Sequence, residues 1–276
     1  MERPKGSSRR RGGWWAEAKG MLWLLVGVFA FQSSIAKAFY IPSESMMPGL
    51  IKGDHLVVTK YAYGWSWASP PFHILPHFEG RLLGRMPERG DVVIVSRPDR
   101  AEDLIKRVIG LPGDIVAVTR GRVFLNGRPL KQERHGTSAF PVDPNLACLD
   151  RAGGFRVVGA DGRTYCRLPL VRETLPGGRS YDTIDQGSSP GDDYGPVAIP
   201  AGHVFVMGDN RDNSADSRFP ASEGGLGGPV PVENLGGRAE FITYSLDGSS
   251  TWLNPLSWAA ALRAGRSGTS LRPGGN

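Results

Sequence analysis

The stretch LIKRVIGLPGD, residues 104–114, combines an apolar, β-branched run with a tight turn. Isoleucine and valine favour extended backbone and Pro-Gly-Asp is a typical turn sequence, so the stretch predicts a strand that ends in a sharp reversal. One lysine, Lys106, interrupts the apolar run. In a strand with one solvated face, side-chain alternation directs such a lysine to water, the usual outcome for a single lysine. If Lys106 is instead buried, desolvation would lower its pKa and provide a neutral amine able to accept a proton.

Similar β-branched runs lie on both sides of this stretch, and glycine turns bound them. An Asn-Gly pair at residues 126–127 is typical of a β-hairpin. Few segments of residues 45–245 show the 3.6-residue period of a helix, so the sequence predicts a mostly β domain. The further predicted strands are residues 56–59, 91–96, 115–119, 202–207 and 239–244, and the hairpin signal lies within residues 123–128.

An apolar run near the N-terminus follows a basic tip. Residues 1–20 hold six Lys or Arg against two Glu, which is +4 of the formal net charge of +6. The rest of the chain is therefore nearly neutral, which argues against a nucleic-acid partner. Residues 14–40 are predicted to form one transmembrane helix, and the positive-inside rule places residues 1–13 in the cytoplasm and the following domain outside. The sequence AKA at residues 36–38 leaves a cleavable signal peptide as the alternative, and the domain is then exported as well.

The remaining chain divides into a main domain and an insertion. Residues 41–128 and 200–255 are predicted to form the main β domain, and residues 129–199 a smaller inserted β subdomain. A short helix is expected at residues 256–263, and residues 264–276 are expected to be disordered.

Two cysteines, Cys148 and Cys166, lie 18 positions apart in the part of the chain that is expected to be exported. An oxidising compartment favours a disulfide between them, and two free structural thiols are the alternative. A zinc site is not indicated because neither a second cysteine pair nor a His-x₃-His pattern is present. We expect no metal and no cofactor.

Directly after the predicted anchor comes IPSESMMP, residues 41–48. Its prolines disfavour a helix, so Ser43 and Ser45 are predicted to lie in extended or turning backbone. Taken alone, such serines are most often hydroxyls that satisfy nearby backbone groups. A third segment, GDNRDNSADSR at residues 208–218, is dense in short polar side chains, which is typical of an ordered loop with many internal hydrogen bonds.

These three segments, in this order behind an N-terminal apolar helix, resemble the signature boxes of bacterial type I signal peptidases, the leader peptidase family. RGDVV at residues 89–93 resembles a fourth box. The resemblance covers roughly residues 38–127 and 200–245 and does not extend closely over the insertion. It implies a coiled antiparallel β-sheet, barrel-like catalytic domain on the periplasmic side of the inner (cytoplasmic) membrane, held there by a single-pass anchor.

The resemblance also implies roles for individual residues. Ser45 would be the nucleophile and Lys106 the general base of a Ser/Lys dyad, and the Ser45 N–H and the Ser43 hydroxyl would hold the oxyanion. Arg107 is expected to be structural. The residues expected to support the dyad are Ser214, which would orient the Lys106 amine, and Asp216 and Arg218, which would hold the loop behind it.

The substrates implied by the resemblance are secretory preproteins, which family members cut after small residues at the −1 and −3 positions. Such specificity needs shallow apolar pockets, and an extended substrate can add to an open strand edge beside them. The expected lining is Phe39, Ile41, Pro42 and Met46. Membrane phospholipid is the other expected partner, and the protein is expected to be monomeric.

Two alternatives from other classes stay open. One is a conventional serine hydrolase that uses one of the five histidines, and the other is a membrane-tethered β-rich scaffold without catalysis. Within the Ser/Lys class, a narrower pilin-processing or self-cleaving protease is a third.

The chain also departs from the family pattern. Glu44 stands between the two serines, with an effect that we do not predict, and the glycine-rich segment 219–231 is longer than usual, so its path is left open. Some relatives have two transmembrane segments, and one is predicted here.

Overall fold

The computed structural model of the chain describes residues 13–100, 102–148, 154–251 and 253–272. The predicted cytoplasmic tip therefore lies, except for its last residue, outside the described part. The structure begins with helix α1, Gly13–Ser34, which has 22 residues and is therefore about 33 Å long. This length suits a hydrocarbon core of about 30 Å.

Helix α1 stands apart from the rest of the protein, with most of its apolar side chains exposed; Trp23, for example, is 73 % exposed. Among the described residues it is the one helix long and apolar enough to cross a membrane, over Trp14–Ser34. So much exposed apolar surface is costly in water and favourable in lipid.

The predicted helix over residues 14–40 is wrong at its C-terminal end. The helix ends at Ser34, and strand β1, Ala36–Tyr40, follows directly. Strand β1 pairs in antiparallel register with β2, Asp54–Thr59, so that Ala36 lies opposite Thr59. The N–H and C=O groups of β1 thereby find hydrogen-bond partners in the sheet, so the helix does not have to continue through these residues to satisfy them.

Thirteen further strands follow in the described chain, and the predicted β-branched runs are among them. In chain order they are β3 (Val92–Ser96), β4 (Asp103–Gly110), β5 (Ile115–Thr119), β6 (Arg122–Leu125), β7 (Arg128–Pro129), β8 (Lys131–Pro141), β9 (Arg156–Val158), β10 (Thr164–Thr174), β11 (Ser180–Ile184), β12 (Tyr194–Ala198), β13 (His203–Met207), β14 (Val230–Pro231) and β15 (Leu235–Ser245).

These strands form three antiparallel sheets. The largest has the order β1-β2-β15-β3-β4-β13-β14, a second has the order β12-β5-β6-β7, and a third joins β11-β10-β8 with β9 beside β10. The pairing of β15 with β2 and with β3 shifts register at several points, and such bulges bend a sheet, so the largest sheet curls into a half-barrel. The predicted fold class, mostly β with a coiled antiparallel sheet behind one N-terminal helix, is confirmed.

The predicted insertion contains the third sheet. Strand β12, which also falls within residues 129–199, pairs instead with β5 of the main domain. A disulfide joins Cys148 to Cys166, with their Cα atoms 5.4 Å apart. The glycine-rich segment 219–231 turns back and ends in β14, which pairs with β13.

The disordered tail predicted for residues 264–276 is wrong as far as residue 272, and residues 273–276 lie outside the described part. Leu271 is buried in the same apolar cluster as Leu56 and Ile242. Arg266 donates from Nε to Asp54 at 2.8 Å. Asp54 is fully buried and needs a cationic partner, so the tail is held by both charge and apolar contact. The preceding helix α2 spans Pro255–Ala260, which is shorter than predicted.

The two methionines after Ser45 anchor the serine segment in different cores. Met46 packs in the cluster of the largest sheet, with Ile41 and Ile105. Met47 packs in a second cluster, which contains the disulfide. The backbone of Ser45 therefore lies between two packed regions, which fixes its position from both sides.

Candidate active site

Lys106 lies in the middle of β4, and it is buried. Strand β4 has β3 on one side and β13 on the other, and its last six residues are all buried. Both faces of the strand are therefore covered, and alternation does not lead Lys106 to water. Its side chain is 3 % exposed, and its Nζ donates to Ser45 Oγ at 2.9 Å and to the Ile105 carbonyl at 2.9 Å.

Burial lowers the pKa of Lys106 to about 8, against the partly compensating charges of Asp216 and Asp209. Desolvation has this effect because it disfavours the charged ammonium. A sizeable fraction of the amine is therefore neutral in mildly alkaline solution and able to accept the proton of the serine hydroxyl.

Ser45 is almost buried, whereas Ser43 is exposed at the surface beside it. The two hydroxyl oxygens lie 3.3 Å apart. Asn210 fixes the backbone between them, because its N–H donates to the Ser45 carbonyl at 3.1 Å and its Nδ2 to the Glu44 carbonyl at 3.1 Å. The loop 208–218 thus holds the serine segment in place.

Asp216 is the centre of that loop. Its carboxylate accepts hydrogen bonds from the Gly208 N–H, the Ser214 hydroxyl and the Arg218 guanidinium, with Oδ2 at 2.9 Å from each donor. Burial acts to raise the pKa of Asp216, but Arg218 and the other donors hold it below its ordinary value, so the group stays charged. Arg218 donates in addition to the carbonyls of Gly191 and Arg211.

Ser214 does not make the direct contact with Lys106 that the sequence led us to expect. Its hydroxyl donates to Asp216, and the hydrogen bonds of the Lys106 amine go to Ser45 and Ile105. A charged carboxylate is a stronger acceptor than an amine that already has two partners, so the Ser214 hydroxyl donates to Asp216 and not to Lys106.

Gly208 allows the loop to approach the serine. A Cβ atom at this position would lie 2.2 Å from Ser214 Oγ and 2.5 Å from the Ser45 carbonyl oxygen. Both distances are far below van der Waals contact, so only glycine fits between the two serines.

Sequence reasoning gave no role to Asp209, which pairs with the neighbour of Lys106. Arg107 Nε and Nη2 donate to the two carboxylate oxygens of Asp209 at 2.8 and 2.6 Å, and its guanidinium lies 4.3 Å from the centroid of the Tyr181 ring. Adjacent residues of a strand point to opposite faces. Two successive cations in a buried strand therefore need one partner on each face. The adjacent Lys106 and Arg107 within an apolar run were the sequence signal that a second, acidic partner is required.

The residues predicted to form substrate pockets separate into two groups. Phe39, Ile41 and Met46 belong to one apolar cluster, in which Ile41 and Met46 are 2 % and 1 % exposed. Pro42 lies exposed beside Ser43.

None of the histidines whose side chains the structure describes forms a hydrogen bond with the Ser45 hydroxyl. In the described structure, the side chains that hydrogen bond to Ser45 Oγ are those of Lys106 and Ser43. His55 stacks on Tyr244 at 4.2 Å between ring centroids, and His203 contacts the Ala201 carbonyl through Nδ1. The side chain of His73 lies outside the described part.

Comparison with known proteins identifies the class of the chain. A family profile described as "Signal peptidase, peptidase S26" matches residues 14–244. Signal peptidase I of Rickettsia typhi is 34 % identical over 220 residues, which are 76 % of this chain and 73 % of the relative. Signal peptidase I of Rickettsia prowazekii is 34 % identical over 236 residues, 79 % of each chain.

A crystal structure of a signal peptidase I from Enterococcus faecalis V583 is similar over 56 % of this chain and 97 % of that chain, with 21 % identity and a TM-score of 0.29, a likeness too low to add to the fold described above. The sequence matches make the protein a serine peptidase. It belongs, more particularly, to the S26 family of signal peptidases, whose membrane anchoring suits helix α1.

Proposed function

We propose that the protein is a membrane-anchored endopeptidase that removes N-terminal signal peptides from secretory preproteins. The observation that carries the proposal is the 2.9 Å hydrogen bond between Lys106 Nζ and Ser45 Oγ, in a buried site whose serine follows the end of the apolar helix at Ser34 by eleven residues. Family membership supports the substrate class, and the pairing of these two side chains supports the chemistry.

In the proposed reaction, the neutral amine of Lys106 takes the proton of Ser45 as its oxygen attacks the scissile carbonyl. The Ser45 N–H and the Ser43 hydroxyl hold the oxyanion, and Ser43 suits this role because its exposed hydroxyl lies 3.3 Å from Ser45 Oγ. The Lys106 ammonium then passes its proton to the leaving amine, which departs with the mature protein. Lys106 then deprotonates a water molecule, whose oxygen attacks the acyl-enzyme carbonyl. The ester bond to Ser45 breaks, the Lys106 ammonium returns the proton to Ser45 Oγ, and the signal peptide leaves with a new C-terminal carboxylate.

Ser214, Asp216 and Arg218 act on the dyad indirectly in this proposal. Asp216 holds the Gly208 backbone close to Ser45, and its negative charge keeps the pKa of Lys106 from falling further. Arg218 fixes the Asp216 carboxylate, and Ser214 donates to the same group. The loop therefore sets both the position of the nucleophile and the basicity of the amine.

The burial of the predicted pocket residues supports the proposed specificity for small residues at −1 and −3. Ile41 and Met46 are almost wholly buried, and in this proposal they form, together with Phe39, a shallow apolar floor beside the exposed Pro42. A floor of this kind accommodates alanine and leaves no depth for a bulky side chain.

The anchor determines where cutting occurs. We propose a single-pass topology with the N-terminus in the cytoplasm, helix α1 in the lipid of the inner membrane and the catalytic domain on the periplasmic side. Strand β1 begins two residues after helix α1, so the site lies close to the membrane surface. Because residues 36–38 are paired with β2 inside the sheet, retention of the anchor is favoured over its removal as a signal peptide.

The test is cleavage of a preprotein with alanine at −1 and −3 by the detergent-solubilised protein. We expect one cut after the −1 alanine, and a loss of at least about tenfold in kcat/KM when that alanine is changed to phenylalanine. Mass spectrometry of the mature fragment locates the cut. Absence of cleavage, or a rate that does not depend on the −1 residue, would contradict the proposal.

The rate should depend on pH through Lys106. The active form is the neutral amine, and its pKa is about 8, so kcat/KM is expected to rise about tenfold per pH unit below that value and to level off above it. Initial rates over roughly pH 6 to 10, with the unfolding temperature measured in each buffer, check this. A rate that is flat or falls over the acidic half of the range would rule out a lysine base.

A further inference from the structure

A cavity of about 270 Å³ opens beside the serine segment and has no part in the reaction described above. Its lining includes Glu44 and Met47 from the serine segment, the two cysteines of the disulfide, and Asn210 and Asp212 from the polar loop. The cavity is large enough for one side chain of an extended peptide and is open to solvent.

The cavity and the predicted substrate pockets belong to different apolar clusters, which the chain enters at the two successive residues after Ser45. Met46, Ile41 and Phe39 belong to the cluster of the largest sheet, whereas Met47 belongs to the disulfide cluster that lines the cavity. In the binding mode that we infer, a substrate has its small residues over the first cluster and its scissile carbonyl at Ser45, and it continues past Glu44 and Met47 towards the cavity that these residues line. The chain that leaves in this direction is the mature protein.

Two buried oxygen atoms in the cavity wall have no partner within the described structure. Asn210 is 1 % exposed, and its Nδ2 donates to the Glu44 carbonyl while its Oδ1 accepts nothing. Asp212 accepts the Gln186 N–H at Oδ2, while its Oδ1 is buried and unpaired. Buried acceptors are normally satisfied, so these two indicate a hydrogen-bond donor that arrives from outside.

The charge of the cavity wall favours a positively charged donor. Glu44 and Asp212 are acidic, and of the described residues in the lining none is basic. Burial and the charge of Asp212 raise the pKa of the nearby Asp185 despite the opposing charge of Arg211, and burial raises the pKa of Glu44 despite the opposing charge of Lys52. Each of these carboxylates would be stabilised in its charged form by a cation in the cavity.

We propose that this cavity is the subsite for the first residues of the mature chain, and that Glu44, Asn210 and Asp212 select a side chain that ends in a hydrogen-bond donor, above all the ammonium of lysine. The inference rests on the proposed function and extends its specificity to the far side of the cut. It also gives a role to the glutamate between the two serines.

Peptides with alanine at −1 and −3 and with lysine, alanine or glutamate at each of the positions +1 to +3 test the subsite. For the wild type, we expect the kcat/KM ratio of the lysine to the glutamate peptide to reach about tenfold at one of these positions. The ratio should fall towards unity in Glu44→Gln and in Asp212→Asn, and should invert in Glu44→Lys. Glu223→Gln, a matched loss of one exposed charge outside the cavity wall, should leave it unchanged.

Equal kcat/KM values for all peptides, or a ratio that survives both Glu44→Gln and Asp212→Asn, would overturn the subsite. Failure to cleave any peptide, including the all-alanine one, is a failure of the proposed function instead. Binding of the same peptides to the Ser45→Ala variant, followed by fluorescence anisotropy, then decides on the subsite without cleavage. The subsite is supported if Ser45→Ala binds the lysine peptide more tightly than the glutamate peptide and if this difference is lost in the double variant Ser45→Ala with Glu44→Gln. Equal binding of the two peptides to Ser45→Ala refutes the subsite.

Discussion

Replacement of Lys106 with methionine is expected to lower kcat for preprotein cleavage by about 10³-fold or more, and Ser45→Ala by at least as much. Lys106 donates to Ser45 Oγ, and burial gives it a pKa that makes the neutral form available. Methionine fills a similar volume and suits a buried site, so the loss should be one of chemistry and not of folding. Unfolding temperatures of the variants, measured beside kcat, check this separation.

Lys60 provides a matched control. It is 2 % exposed, against 3 % for Lys106, and burial followed by the charge of Lys37 lowers its pKa to about 8 as well. Its Nζ lies 5.5 Å from the centroid of the Phe39 ring and not against the serine hydroxyl. Lys60→Met should therefore retain most of the activity. Equal losses in Lys60→Met and Lys106→Met, or full activity in Lys106→Met, would contradict the dyad.

The comparison of the two lysines shows what the sequence can predict about the site. Both are single lysines at or beside a β-branched run, and Lys106 was distinguished by its place inside the run and by the match of residues 104–114 to a family box. Strand alternation alone directed Lys106 to water, because it assumes one solvated face. The last six residues of β4 are all buried, so other parts of the protein cover both of its faces, and this packing involves residues far away in the chain.

The same distinction applies to the fold. The β-branched runs and the Asn-Gly pair at residues 126–127 are local signals, and strands β2 to β6 lie where these signals predict them. The end of helix α1 and the packed tail depend on distant partners: β1 on β2, and Leu271 on the core. The choice of Ser214 between two nearby acceptors likewise depends on positions that no local pattern encodes.

The packing of Met46 and Met47 in two different apolar clusters was the feature hardest to predict from the sequence. Both are apolar and adjacent, and a sequence pattern treats them alike, yet they enter different clusters. Because Ser45 directly precedes them, the serine is adjacent in the chain to one residue of the cluster that we propose as the floor for the signal peptide and to one residue of the cavity that we propose for the mature chain. This arrangement thus links the packing of the core to the direction in which a substrate would lie.

The buried pair of Asp216 and Arg218 should be as important for stability as the dyad is for chemistry. Both side chains are at most 1 % exposed. Asp216→Asn leaves the Arg218 charge buried without its counter-ion, which is expected to reduce the free energy of unfolding by about 3–5 kcal/mol. Glu133→Gln, which breaks the exposed pair with Lys131, should have little effect on stability in the same denaturant titration.

Asp216→Asn should also move the pH profile, which a purely structural role would not do. The negative charge of Asp216 favours the ammonium of Lys106 and raises its pKa, so removal of the charge should lower that pKa below about 8. The rise of kcat/KM with pH is then expected at a lower pH than in the wild type, measured at a temperature where the variant is still folded. A variant as stable as the wild type, with an unmoved midpoint, would show that Asp216 controls neither the loop nor the base, and the indirect support proposed for the dyad would fail.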